Sequence, residues 1–259
     1  GAASQVATDS ATPSNDGKLG TTTGVDASDP AWTTGRIGNA ALSFDGVDDF
    51  VSTSSTTAQT ATDFTLSAWF QTDTTSGAHH ILWQGYSAGN GYGSGPGTPA
   101  EAEMGLTVGT YNQNNKIVFH LGYELPANGA DAIYIVSASD FTDTTAWHHV
   151  AVSVTDIGGG TLSASLYVDG VLEGTDTGTQ NDRSQWGALQ IGKPGANSRL
   201  FDGRIDEVRV YDTDLSQSQI EDIANSGVLQ NDSEVGSPIL GAILVSGPAN
   251  GTLNLETDG

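Results

Sequence analysis

The 259-residue chain contains no cysteine. That removes disulfide scaffolds, thiolate nucleophiles, cysteine-ligated zinc and iron–sulfur clusters together, and leaves stability to the size of the core or to bound metal. Basic residues are scarce, 8 Lys plus Arg against 31 Asp plus Glu, for a formal charge of −23. Such a surface repels phosphate backbones and anionic lipid, so neither nucleic-acid binding nor membrane insertion is expected. It attracts divalent cations, whose preferred ligands are carboxylate and carbonyl oxygens. The same excess of acid serves solubility alone, or a saline medium in which charges are screened within ~8 Å or less. No run approaches the ~18 apolar residues of a membrane-crossing helix. No basic segment followed by an apolar one marks a signal peptide.

What the chain does have is glycine, 34 residues, and a hydrophobic content of 36% dispersed in short runs. Residues 1–35 are rich in Thr, Ser, Asp and Gly, with Val6, Leu19 and Trp32 as scattered apolar anchors, and read as irregular structure or short edge strands. From Ala41 onward, short alternating runs bounded by turn residues predict a series of strands. They are Ala41–Phe44, Phe50–Ser52, Phe64–Phe70, His80–Trp83, Gly105–Val108, Lys116–Leu121, Ile133–Ser137, Trp147–Val154, Leu162–Val168, Leu189–Gly192 and Gly203–Tyr211. Asp169-Gly170 is a hairpin turn signal. Residues 84–103 carry Gly85, Gly89, Gly91, Gly93, Gly95, Gly97, Pro96 and Pro99, which predicts a long loop of the kind that carries function. One helix is expected, capped by Ser216, running through Ile220, Ile223 and Ala224 and ended by Gly227. The predicted fold is all-β, a jelly-roll β-sandwich of two antiparallel sheets with one short C-terminal helix. After Gly227 the pattern restarts with Ser237-Pro238 and an alternating run from Ile239 to Val245.

Three segments taken together resemble the laminin-G-like branch of the concanavalin A-like lectin/glucanase superfamily. They are Gly35 to Val51 (Gly-Arg-Ile-Gly-Asn-Ala-Ala-Leu-Ser-Phe-Asp-Gly-Val-Asp-Asp-Phe-Val), Trp147 to Val152 with Leu166-Tyr167-Val168-Asp169-Gly170 downstream, and Phe201 to Tyr211 leading into Leu215-Ser216. Their order and spacing cover roughly residues 5–228. The segment from Gly241 to Leu253 is similar to the opening of bacterial cadherin-like tandem repeats. The expected organisation is therefore a sandwich over residues 1–230, followed over 231–259 by a linker and the truncated start of such a repeat. The resemblance implies a large secreted, cell-surface adhesin with adjacent repeats in the same chain.

Candidate chemistry divides into three. Phe44-Asp45-Gly46-Val47-Asp48-Asp49 puts three acids around one turn, and Asp202 and Asp206 flank another; calcium takes six to eight oxygens from such turns, while Asp before Gly also makes plain Asx turns. In the family a structural calcium ties the N-terminal segment to the final strand, and the resemblance carries that role to Asp206, Asp45, Asp9 and Asp16. Catalysis is not expected. Glucanases of the superfamily carry Glu-x-Asp-x-Glu on one strand face, and the nearest match, Glu101-Ala102-Glu103, lacks the third acid. His148-His149 occupy successive strand positions and face opposite sides, so they are expected in framework duty. For ligand binding, sugar recognition needs flat aromatic faces with amides and carboxylates, a mixture supplied by Tyr86, Asn90, Tyr92, Glu101, Tyr111, Asn112 and Asn114. The function this points to is a non-catalytic, calcium-stabilised module that binds a glycan, or a peptide, on a host or neighbouring cell surface. A structural spacer and an accessory module of a secreted polysaccharide-degrading enzyme are the alternatives.

Overall fold

The computed structural model describes residues 5–10, 15–37, 40–85, 103–110, 113–122, 133–179, 183–184, 186–194 and 199–225. In chain order the strands are β1 (Val6–Ala7), β2 (Gly17–Leu19), β3 (Ala31–Thr33), β4 (Ala41–Asp45), β5 (Val51–Ser52), β6 (Phe64–Thr72), β7 (His79–Gln84), β8 (Glu103–Thr110), β9 (Gln113–Gly122), β10 (Ile133–Val136), β11 (His148–Gly158), β12 (Thr161–Val168), β13 (Val171–Thr179), β14 (Gln190–Ile191) and β15 (Asp202–Tyr211). Two short helices, α1 (Thr57–Thr60) and α2 (Gln217–Ala224), complete the described elements. One sheet has the order β1-β2-β5-β14-β7-β8-β9-β10 and the other β13-β12-β11-β6-β15-β4-β3. Every described pairing is antiparallel. The expected sandwich of two antiparallel sheets is what the chain forms.

The core lies between the sheets, and the period of two fills it. From the seven-stranded sheet, Phe64, Leu66, Ala68 and Phe70 of β6 and Val150, Val152 and Val154 of β11 point inward. Met104, Leu106 and Val108 of β8 and Ile117, Phe119 and Leu121 of β9 meet them from the eight-stranded sheet. At the β12–β13 turn, Asp169 and Gly170 have φ of 51° and 78°, the pair of positive values that a two-residue hairpin turn needs. Helix α2 opens on a capping box in which the Ser216 hydroxyl accepts from Gln219 N, satisfying an orphan helix amide. Ile220 then packs on Ala151 and Tyr167, on the outer face of the seven-stranded sheet.

The strands extend beyond the expected ends where polar residues continue the ladder. β7 runs on through Gln84 and β8 already begins at Glu103, so the connection is shorter than the loop predicted over 84–103. β13 was not among the predicted strands: its sequence VLEGTDTGT is mostly exposed and holds almost no buried apolar side chain, so it carries no alternation. Residues 1–35 contribute β1, β2 and β3, all short strands. Gly227 and residues 231–259, with the expected linker and repeat start, lie outside the described residues.

His148 and His149 do face opposite ways. His148 Nδ1 lies 2.8 Å from Asp169 Oδ2. His149 sits on the outer face opposite Trp69, ring centroids 5.3 Å apart. His149 is 1% exposed, and burial pushes its imidazole down to about 4, against the upward pull of Asp169. An unfolded histidine titrates near 6.5, so as the pH falls from about 6.5 to 4 the unfolded chain takes up a proton that the folded chain refuses. Folding stability then drops, by about 3 kcal/mol for a shift of this size. His149→Phe is expected to flatten the pH dependence of urea unfolding across that window relative to the parent chain; identical slopes in the two proteins would remove this role.

Candidate functional site

Four of the acidic residues singled out by sequence occupy three places. Asp9 and Asp16 meet where β1 turns into β2: Asp9 N donates to Asp16 Oδ1 at 2.9 Å, and Asn15 N donates to Asp9 Oδ2 at 2.8 Å. Asp45 ends β4 and joins Asp48 and Asp49, with one oxygen from each carboxylate within 4.8 Å of the others. Asp206 stands in the middle of β15 and is bound to neither group in such a cluster. Among the described residues, Asp45, Asp48 and Asp49 are the one group of three or more potential metal ligands gathered this closely.

Asp206 is a latch. Its Oδ2 accepts from Arg36 N at 2.8 Å and Ile37 N at 3.1 Å, and its Oδ1 accepts from Glu207 N at 2.9 Å. The approach is close enough that a Cβ on Gly35 would stand 2.5 Å from Asp206 Oδ2. The carboxylate, 7% exposed, ties the segment before β4 to the last strand, 169 and 170 residues away in sequence. The Arg36 guanidinium then lies 4.7 Å over the Trp69 ring. Burial raises the Asp206 carboxyl above its ordinary value, and the backbone amides pull it back down.

The Asp45–Asp49 turn is shaped by its own acids. Asp45 Oδ1 accepts from Val47 N at 2.8 Å and from Asp48 N, while Asp45 N donates to Asp49 Oδ2 at 2.9 Å. Gly46 sits at φ 72° and lies against Asp202, the residue paired with Asp45 across β4 and β15. Asp49 is buried, and that burial, with Asp45, Asp48 and Asp29 as like charges around it, pushes its carboxyl up to about 6. The Asx-turn reading of Asp45 and the cation reading therefore share one geometry. Hard oxygen donors concentrated at one turn, one of them held in a setting that disfavours its charge, fit a divalent cation.

A polar network covers the outer face of the eight-stranded sheet. A bulge at Ile81 in β7 turns His80 and Trp83 to the same side, opposite Thr107 and Gly105 of β8. Trp83 Nε1 donates to Glu103 Oε2 at 3.0 Å, and His120 Nε2 lies 3.6 Å from Glu103 Oε1. The His80 and His120 rings meet edge to face at 6.2 Å. Gly105 is required here because the His120 ring lies directly over its Cα. Trp83 is buried, but it faces out from the sheet and not into the core. Burial, with His120 and Arg199 as neighbouring charges, holds His80 well below its ordinary value. Sequence reasoning missed this cluster; the outward face became legible only with the register of β7, β8 and β9.

Of the expected ligand residues, Asn114 is exposed at the start of β9, and its Oδ1 accepts from Gly77 N at 3.1 Å. Tyr86, Asn90, Tyr92, Glu101, Tyr111 and Asn112 lie outside the described residues. Arg183 is buried and structural. Its guanidinium donates to Ala58 O at 2.6 Å and Ala61 O at 2.9 Å.

Fold and sequence now define the class. Residues 45–221 match the laminin-G-type model of the concanavalin A-like lectin/glucanases superfamily, and the chain belongs to that superfamily. The sandwich is similar to domain 4 of an extracellular GH43 arabinanase from Geobacillus stearothermophilus, solved with arabinotriose (TM-score 0.57, 19% identity, 80% of this chain and 87% of that one). It is also similar to the CBM40 of the Ruminococcus gnavus IT-sialidase bound to α2,3-sialyllactose (TM-score 0.54, 14% identity, 71% and 96%). A third likeness is to the binding domain of a paraclostridial mosquitocidal protein (TM-score 0.51, 14% identity, 85% and 51%). At these identities the likeness is one of fold. Comparison with curated protein sequences finds no match.

The latch generates a stability prediction. Asp206→Ala removes the acceptor of three amides, and an unpaired buried donor costs about 1–3 kcal/mol. A loss of several kcal/mol in urea unfolding is expected, with Asp206→Asn recovering part of it through its remaining carbonyl. An alanine variant within about 0.5 kcal/mol of the parent would show that the latch carries no weight.

Proposed function

We propose that the chain is a non-catalytic carbohydrate-binding module whose scaffold is stabilised by calcium. The observation that carries the reading is the sandwich itself, shared over most of both chains with a domain solved around arabinotriose and with a carbohydrate-binding module solved around sialyllactose. The geometry at Glu103 supports a non-catalytic role. Its carboxylate is 8% exposed and committed to the Trp83 indole.

Asp45, Asp48 and Asp49 would hold the cation. Bound there, calcium would supply charge neutralisation to a turn that sets the β4–β5 connection. The formal charge of −23 favours cations in general and disfavours polyanionic glycans. The acid excess and the likeness of residues 241–253 to cadherin-like repeats support a place in a large secreted adhesin on a cell surface. The alternating run from Ile239 to Val245 supports adjacent repeats in the same chain.

Two measurements test this. Calcium at a hundred times its dissociation constant stabilises a native state by about 2.7 kcal/mol, which for a domain of this size raises the melting temperature by about 5–10 °C. EDTA should reverse the rise, and Asp48→Asn with Asp49→Asn should abolish it; a midpoint indifferent to calcium in the parent chain removes the cation. A glycan array in millimolar calcium is expected to return a defined class of sugar. Silence across the array from folded protein would sink the carbohydrate reading.

A further inference from the structure

The two lateral edges of the sandwich are built differently. At one edge β10 and β13 close the gap. Tyr134 N donates to Asp176 Oδ2 at 2.9 Å, Ser139 N donates to Glu173 Oε2 at 2.7 Å, and a Cβ on Gly174 would stand 2.7 Å from Ile135 Cγ2. At the other edge the sheets part around a cleft of about 610 Å³ between β1, β2 and β5 on one side and β3, β4 and β15 on the other. Its volume falls inside the ~300–1,000 Å³ of small-molecule sites.

Register decides which side chains face it. Trp32 of β3 is paired with Leu42 of β4, a core residue, so Trp32 shares the inward side and looks into the cleft. It is 36% exposed, whereas Trp69, Trp83 and Trp186 are buried. On the facing wall Ala7 of β1 is opposite Gly17 of β2 and packs on the core. Asp9 and Asn15, two residues beyond each, continue that side and line the opening with Thr53 and Ser55. The floor between them is apolar: Leu42, Phe44, Val51, Leu189 and Ile205. Beyond Ile205 the ladder of β4 with β15 stops, and a bulge between Asp206 and Arg209 holds Glu207 at φ 47°. Side-chain-bearing residues seldom enter that region, and bulges of this kind re-aim a strand beside functional sites.

We infer that this cleft, between Trp32 and the Asp9–Asn15–Thr53 wall, binds one or two units of a neutral oligosaccharide. The inference rests on the carbohydrate-binding reading and adds to it a place and a charge class. An indole face suits the apolar side of a sugar ring, and a wall of carboxylate, amide and hydroxyl groups suits its hydroxyls. The charge of the site sets the preference: Arg209, the one basic residue among the described residues lining the cleft, is taken by Glu207 at 2.5 Å, while Asp9 repels an anion. A regular peptide strand is a poorer fit, because the bulge interrupts the edge of β15 that it would extend.

Isothermal titration of the full chain against neutral oligosaccharides including arabinotriose, with α2,3-sialyllactose as the acidic counterpart, tests it. Neutral members are expected to bind, sialyllactose to bind less well, and Trp32→Ala to weaken the neutral ligand roughly tenfold or more. Trp32→Phe should retain most of the affinity. The exposed position of Trp32 should leave the melting temperature of either variant within about 2 °C of the parent. Should Trp32→Ala fold poorly, Asn15→Ala on the opposite wall is expected to weaken binding in the same way. Sugar binding that survives at both positions overturns the cleft while leaving a carbohydrate-binding module. No sugar bound by the parent chain overturns that reading and the cleft with it. Preference for sialyllactose, or capture of extended peptides alone, overturns the proposed ligand class.

Discussion

One apolar layer between two sheets, with no covalent cross-link, is the constraint on which everything else in the molecule depends. Phe64, Leu66, Phe70, Phe119, Val150 and Val152 are almost wholly removed from water, and their strands can present those residues inward only in one register. That register fixes what stands on the outer faces as well. Once Leu106 and Phe119 point in, Gly105 and His120 must point out. Once Leu66 and Phe70 point in, Ser67 and Trp69 must point out. The outer-face chemistry, with Trp83 on Glu103 and Trp69 beside His149, is thus a by-product of core alternation, and a slip of one residue would destroy both at once.

Burial on those outer faces forces each polar group to find a partner or give up its charge, and the molecule does both. Asp206 keeps three amide donors, and Arg183 keeps two carbonyl acceptors. Charge-assisted hydrogen bonds of this kind are each worth about 1.5–3 kcal/mol, enough to offset a desolvation penalty that a single contact would not. His149 takes the other course. Neither of its ring nitrogens has a hydrogen-bond partner among the described residues, and it stays neutral down to about pH 4. The difference is one of neighbours: Asp206 lies beside a chain segment whose amides are free to turn toward it, and His149 is packed against the Trp69 ring.

Much of this was legible in the sequence wherever a strand buried one face. Phe64–Phe70 and Leu162–Val168 alternate strongly, and the structure places strands there within two residues of the expected ends. The hairpin at Asp169-Gly170 and the cap at Ser216 were equally readable, because each rests on a local hydrogen bond that only a few residue types can make. β13 was invisible, since an exposed edge strand has no buried face to impose alternation. The site was legible in parts. Asp206 stood out from the family resemblance, but its partners, Arg36 and Ile37, offer only backbone and so leave no trace in residue type. Asp45 drew attention beside Asp48 and Asp49, and the turn does bring these three together. Trp32 read as an isolated apolar anchor, because its facing wall comes from β1, β2 and β5, which lie apart in the chain.

The acidity of the chain is therefore not evenly felt. Among the described residues, most carboxylates are exposed or half-buried, where neighbouring charges are screened within about 8 Å. At the Asp45–Asp49 turn three of them converge within 4.8 Å and one is buried, and there burial, helped by the neighbouring charges, lifts a carboxyl to about 6. Two agents relieve that repulsion, a proton on Asp49 or a cation shared by all three. Above pH 6 the proton leaves, so the turn keeps its buried carboxylate either at a cost in stability or with a cation beside it. A cation bound there would be linked to folding, because the three acids converge only where the turn joins β4 of one sheet to β5 of the other.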